Sequence, residues 1–419
     1  MRSVSLAPAC LSALFLLAAA GAQAGEPWKV QGRVVDEAGR PVAEAEVGHF
    51  WGANGTGKDK DGKPLDLTKP ENVKAFWGRL GQMEPRDSHA AKTDTDGRFS
   101  LEISDSHHTV MAMDRSRRKG GLAVLPKGRE SQPVEIRLLP LMRVRGAIEG
   151  PHAGKRPNWA HVYFMMPDDP TRPLDSTRLA HCGSFEARVE VWLPPGRYWI
   201  EAYSMPAGKD IMDGRLVPNQ ELVLKGDVQD VDLGTMRLSP SGPNLTTTRI
   251  EKAKADGTWG NYTKHYGEKP PRWHVTDARG VGKEVQLSDF KGKWVLAYFW
   301  GFSCVPCLKE GLPKLTTFYE EHAAQRDRFE ILSMCIDPEG NLKSMADVER
   351  KLEPIVEHVW GGKALPFPVL LDNSFETMGS YGLEGFGTVL LVDPQGNLIE
   401  GDETVLAGKL KERENRPRR

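Results

Sequence analysis

Trp294-Val-Leu-Ala-Tyr-Phe-Trp-Gly-Phe-Ser-Cys-Val-Pro-Cys-Leu-Lys-Glu-Gly-Leu-Pro-Lys-Leu315 is the stretch on which the reading of this chain turns. It opens with an apolar run of strand length, Trp294 to Trp300, and closes on a helix-like segment from Leu308 to about Gln325. Between them stand Cys304, Val305, Pro306 and Cys307. A buried strand that delivers a C-x-x-C pair to the start of a helix is a redox arrangement. The N-terminus of a helix carries unpaired N–H groups and a partial positive charge. A thiolate at Cys304 would lie on that charge, so its pKa should fall below that of a free thiol. Cys307, three residues on, shares the helix face and is within reach of a short disulfide. Pro306, with no N–H, suits the first turn. In disulfide exchange a thiolate attacks and a mixed disulfide forms, so Cys304 is expected to attack and Cys307 to resolve.

On the residues alone two other readings of the pair stay open. Half a zinc site would need two further ligands, and the chain has no second C-x-x-C and no H-x-x-x-H. An inert structural disulfide would suit an exported chain.

The chain has 419 residues, enough for two to four domains with ample core. Fifty-six basic and 57 acidic residues leave a net charge of −1, which gives no general attraction to nucleic acid or to an anionic membrane. Residues 1–24 read as a secretory leader: Arg2, an apolar core from Leu6 to Ala20, and the small-x-small site Ala22-Gln-Ala24. Cys10 would leave with it. Four cysteines remain, Cys182, Cys304, Cys307 and Cys335, too few for a disulfide-stapled scaffold. No later run is apolar enough to span a bilayer.

In chain order, Val30 to Val35 and Val42 to Val47 read as strands around a turn, Asp36 to Pro41. Gly52 to Lys63 reads as a loop, and Pro70 to Gln82 as a short helix. Asp94 and Asp96 resemble calcium ligands, but an EF-hand loop needs more carboxylates and a late Glu. An Asp-Gly turn feeding a strand from Phe99 is the better reading. Strands follow at Val110–Met113, Gly121–Leu125 and Val134–Leu139.

The run from Val30 to Val47, closed by Thr95-Asp-Gly-Arg-Phe-Ser-Leu101, resembles the carboxypeptidase regulatory-like domain. The resemblance implies a small β-sandwich without catalytic residues over about 28–139. Arg143–Ile148, Trp159–Met165, Ser184–Val191, Gly196–Tyr203 and Val231–Leu238 predict a second β-sandwich. Its aromatics Trp159, Trp192, Tyr198, Trp199 and Tyr203 suit half-buried strand positions. His161, His181 and Cys182 would ligate a metal only if the fold aligned them, and no spacing supports that. Ser239 to Pro243 reads as the break between domains. Leu245 to Ala255 reads as a connecting helix, and Trp259 to Pro271 as irregular chain.

From Trp273 the pattern alternates strand and helix, which implies an α/β sheet. Trp273–Gly280 and Lys283–Leu287 suggest a hairpin, and Phe329–Asp337 a buried strand. Ala346–His358 reads as a helix, Phe367–Asp372 as a short strand, and Thr388–Ile399 as a final hairpin. Leu287 to Leu315, Phe367 to Asp372 and Tyr381 to Gly396 resemble the TlpA/ResA branch of the thioredoxin-like superfamily, over about 270–408. The resemblance implies an exported thiol–disulfide oxidoreductase with its nucleophile at Cys304 and its resolving thiol at Cys307. Two positions depart from the family. Ser303 replaces the usual Trp before the first cysteine, and Gly387 stands where the family has a cis-proline that docks substrate and shields the thiols. Peroxiredoxins share this fold, but their attacking cysteine follows a Thr three residues earlier, and Gly301 holds that place here. Cys335, inside an apolar run, reads as a small buried hydrophobe.

The sequence thus predicts two all-β sandwich domains followed by an α/β thioredoxin-like domain. The parts are a leader (1–24), sandwiches at 25–140 and 141–240, a linker (241–269), the redox domain (270–408) and a basic tail (409–419). The expected activity is disulfide exchange with protein thiols or disulfides and a redox partner. Cys304 and Cys307 carry it, and Phe386, Gly387, Trp300 and Pro306 form the substrate groove. No cofactor, metal or nucleic acid is expected, and the sandwiches would meet an unidentified partner. The alternatives are an extracytoplasmic scaffold with a degenerate redox domain and, less favoured, a peroxidase.

Overall fold

Strand-forming runs dominate the first half of the chain and a mixed sheet the second, in a computed structural model that describes residues 28–414. Excepted are 54–71, 73–82, 86–89, 104–107, 117, 126–131, 152–158, 185–186, 206–213, 217, 241–251, 253, 258 and 338–340. The expected leader lies outside the described residues, as do all but isolated positions of the expected helices at Pro70–Gln82 and Leu245–Ala255. Two compact units meet in sequence at Gly242 and Pro243, inside the Pro/Gly break.

In the first unit, Trp28–Val35 pairs antiparallel with Arg98–Ile103 and parallel with Val134–Arg137. Period-2 alternation sends Val30 and Val34 inward to meet Leu101 and Ile136. The same core takes Val47 and Val110 from a second, five-stranded sheet. The strands either side of the Asp36–Pro41 turn therefore belong to different sheets, and next to the turn they meet at a bridge between Val35 and Pro41, with Val42 N donating to Val34 O at 3.0 Å. Asp94 shapes its turn through Oδ1, which accepts from the Asp96 and Arg98 amides at 2.9 and 2.8 Å.

A second core lies between a three-stranded sheet centred on Met142–Glu149 and an eight-stranded sheet built on Trp159–Met165, Arg178–Ser184 and Gly196–Met205. Arg178–Ser184 is a strand that the sequence reading missed. Trp51–Ala53 pairs with it in parallel, and Trp51 is fully buried in this second core. Residues before 140 therefore contribute to the sheet assigned to 141–240.

The second unit is built on six strands and four α-helices among the described residues. They are β1 (Asp277–Arg279), β2 (Trp294–Trp300), α1 (Leu312–Glu321), β3 (Phe329–Ile336), α2 (Met345–His358), β4 (Val369–Asp372), α3 (Glu376–Tyr381), β5 (Val389–Val392), β6 (Leu398–Ile399) and α4 (Glu403–Glu414). The sheet order is β1-β4-β3-β2-β5-β6. β2, β3 and β4 run parallel, joined by crossovers that carry α1 and α2. A central parallel strand is buried on both faces, which explains the unbroken apolar run of β2. Val295, Ala297 and Phe299 enter one core, and Leu296, Tyr298 and Trp300 are buried on the other face.

Two expectations fail here. Lys283–Leu287 forms no hairpin: β1 pairs with β4, and Leu287–Phe290 is a 3₁₀ turn. The Gln286 side chain takes over the pairing, accepting from the Trp273 amide (2.9 Å) and donating to the Trp273 carbonyl (3.1 Å). Trp259, Tyr262 and Tyr266, expected in irregular linker, pack on this unit's core, and Leu398 N donates to Glu268 O at 2.8 Å.

Candidate active site

β2 ends at Trp300, and four residues later the chain enters a helix. Cys304 stands just before it, and Cys307 opens a π-helical turn, Cys307–Gly311, that runs into α1. Pro313, in the first turn of α1, has no N–H to return to the carbonyl four residues back, so the α register resets there. The helix expected as one piece from Leu308 to Gln325 is thus a π turn, an α-helix and a terminal 3₁₀ turn, Ala323–Gln325.

Cys304 and Cys307 are joined as a disulfide, with their Cα atoms 5.3 Å apart. The Cys307 amide points at Cys304 Sγ at 3.3 Å, as an unpaired donor of a first helical turn should. Exposure is unequal: Cys304 is half-buried at the surface, while Cys307 is 1% exposed. Such an arrangement offers one sulfur to an incoming group and keeps the second behind it.

Gly387 closes the site from β5. Its backbone sits at φ +85°, and its amide donates to the Phe299 carbonyl at 2.7 Å. A Cβ there would lie 3.8 Å from Cys307 Sγ. Proline could neither adopt this φ nor supply this donor, so the departure from the family pattern is built into the backbone. The Phe386 ring packs over Gly301, where a Cβ would come within 3.0 Å of it. Phe386 and Pro306 are half-buried and Gly387 is exposed. Trp300 is different. It is fully buried, with its ring edge-on to Phe302, so it offers no surface to a substrate.

Three neighbours were not singled out from sequence. Tyr298 occupies the space that a Gly311 side chain would need: a Cβ there would fall 2.0 Å from the Tyr298 hydroxyl oxygen. Burial, then the Glu310 and Glu403 carboxylates, push the Tyr298 hydroxyl up to about 12. Trp360, beyond α2, donates from Nε1 to the Leu308 carbonyl at 2.6 Å. Lys351 lies over the Phe302 ring, with Nζ 4.7 Å from its centroid. The one signal available in sequence was Gly311, a helix-breaking residue inside a helical pattern.

The remaining candidates fall elsewhere. Cys335 is fully buried opposite Trp300, and burial, then Asp337, raise its thiol pKa. His161 and His181 do meet, Nδ1 to Nε2 at 2.8 Å, stacked among Tyr163 and Tyr203. Cys182 pairs with Val162 on the opposite face, inside the second core, so the three do not converge. Among the described residues no group of three or more His, Cys, Asp or Glu is placed to hold a metal ion. Tyr198 is fully buried and donates to the Pro194 carbonyl at 2.7 Å, a core role.

Residues 266–400 match the model of the AhpC/TSA family. Over 150 residues the chain is 31% identical to the thiol-disulfide oxidoreductase ResA of Bacillus thuringiensis (strain Al Hakam), covering 35% of this chain and 76% of that protein. The chain belongs to the ResA family of thiol-disulfide oxidoreductases. It is 28% identical to ResA of Bacillus subtilis (strain 168) over 134 residues, 32% of this chain and 65% of that one. The solved structure of StoA from Bacillus subtilis aligns at 22% identity and a TM-score of 0.25, covering 33% of this chain and 96% of that one. The ResA-like part is the thioredoxin-like C-terminal unit, and it contains the disulfide. No helix among the described residues is long and apolar enough to cross a membrane.

Proposed function

We propose that this chain is an exported oxidoreductase in which Cys304 attacks and Cys307 resolves. In the reduced form the Cys304 thiolate attacks one sulfur of a substrate disulfide, and the other substrate sulfur leaves as a thiolate that takes up a proton. Cys307, deprotonated, then attacks Cys304 Sγ. The Cys304–Cys307 bond forms, the mixed disulfide breaks, and the second substrate sulfur leaves. Two electrons pass to the substrate, and the closed pair is the oxidised enzyme; run in reverse, the same steps oxidise a dithiol.

The unequal exposure of the two sulfurs carries this reading. Phe386, Gly387 and Pro306 are the proposed contacts for a protein substrate. The leader-like residues 1–24 support export. The two cores of the first unit support two sandwich modules, with Trp51, Met111 and Met113 from the first stretch entering the second core, and the modules dock an unidentified partner.

Disulfide exchange by single-cysteine variants is the test. Cys304→Ser should abolish it, and Cys307→Ser should accumulate mixed disulfides. Normal turnover by Cys304→Ser would remove the assignment. A pair that stays closed in mild reductant would instead favour a scaffold, a role suggested by Gly387.

A further inference from the structure

The second unit carries a concavity of about 380 Å³ between α2, the loop that follows it and the edge strand β1. Leu352, Val356, Trp360 and Leu365 give it an apolar lining. Val356 and Trp360 are only half-buried, so part of that apolar surface faces solvent. Glu349, Glu353 and Glu357, all exposed, stand along its α2 side. Residues four apart on a helix rise by about 6 Å, so the three carboxylates form a row about 12 Å long. Like charges at this spacing work against a helix, so the row does nothing for α2 itself. Glu349 lies 3.9 Å from Arg279 and Glu357 3.7 Å from His358, while Glu353 has no ion pair among the described residues.

We propose that this groove docks a basic, amphipathic segment of a partner protein. Apolar side chains of the segment fill the trough, and its cations meet the carboxylate row. The length of the row favours a peptide over a small organic cation, whose single charge engages one carboxylate. The groove is also tied to the redox helix by a hydrogen bond. Its Trp360 wall holds the carbonyl of Leu308, the residue after Cys307. A segment seated against Trp360 therefore lies one side chain away from the first turn of the redox helix. The proposal goes beyond the thiol chemistry: it states where a partner grips, whichever way electrons flow.

The test uses the full chain and a short synthetic peptide of Lys, Leu and Ala, with Leu at helical spacing. Two control peptides carry Glu for Lys or Ser for Leu. Titration is followed by the NMR signal of the Trp360 indole N–H, assigned by its loss in Trp360→Phe. The Lys/Leu/Ala peptide should shift that signal saturably, and the acidic control should not. Ser for Leu should weaken binding, and Glu349→Gln/Glu353→Gln/Glu357→Gln should weaken it about tenfold, as for three exposed charge contacts. Equal binding to the triple variant, binding of the acidic control, or no binding of the basic peptide would overturn the proposal. A full shift with hexylammonium at the same concentration would reassign the groove to small cations and also overturn it. Exchange with a small disulfide, run on the same proteins, keeps the two readings apart. The triple variant should exchange normally, and the Cys304→Ser/Cys307→Ser chain should bind peptide normally.

Discussion

At Gly387 there is room for a side chain, and glycine is still required. A Cβ would meet nothing nearer than Cys307 Sγ at 3.8 Å, but the backbone sits at φ +85°. Gly387→Ala should therefore cost about 1–2 kcal/mol, the usual penalty for placing a Cβ at positive φ. Gly387→Pro should cost more, because it also removes the donor to the Phe299 carbonyl. Denaturant unfolding checks both, and an alanine variant of wild-type stability would refute this account. The buried thiols give a second test at this scale. Burial pushes Cys182 up to about 12, and Cys335 is raised for the same reason. At pH 8 both stay protonated, so maleimide should label neither in the folded oxidised chain and both after unfolding. Sequence marked Cys335 as a small buried hydrophobe because its neighbours are apolar. It marked Gly387 as a departure from the family, but a φ angle is written in no single residue.

Between elements, Gly311 sits tightly against Tyr298, where the π turn crosses β2. Gly311→Ala would drive a methyl group into the phenol, at about 1–3 kcal/mol for overpacking. Tyr298→Phe removes the nearest obstructing atom but leaves the ring carbon that bore it at 2.7 Å, so the double variant should recover part of that loss. Unfolding measured on both single variants and the double checks the coupling, and simple additivity would contradict the contact. The strand–C-x-x-C–helix order was legible because β2 is apolar without interruption and the cysteines follow at once. The π turn was not, since it depends on Pro313 and on what lies beneath Gly311. The false hairpin at Lys283–Leu287 has a similar origin. Strand-like residues are present, but the Gln286 side chain binds the Trp273 backbone in place of a second strand.

Across the whole molecule, the disulfide lies in the unit that holds residues 243–419, which have a core of their own. A chain of 243–419 alone should fold and exchange a small disulfide at the full-length rate. Loss of that activity would show that the redox site needs the first unit. The sequence by itself determined the redox pair and the class of sheet in each unit, because periodicity, turn residues and C-x-x-C spacing act over a few neighbours. Tertiary structure alone decided that Trp51 joins the second core and that Trp300 is fully buried. It also brought His161 to His181 and built an acidic groove beside α2. Each of these depends on which distant strand supplies the opposite wall, and local sequence does not encode that choice.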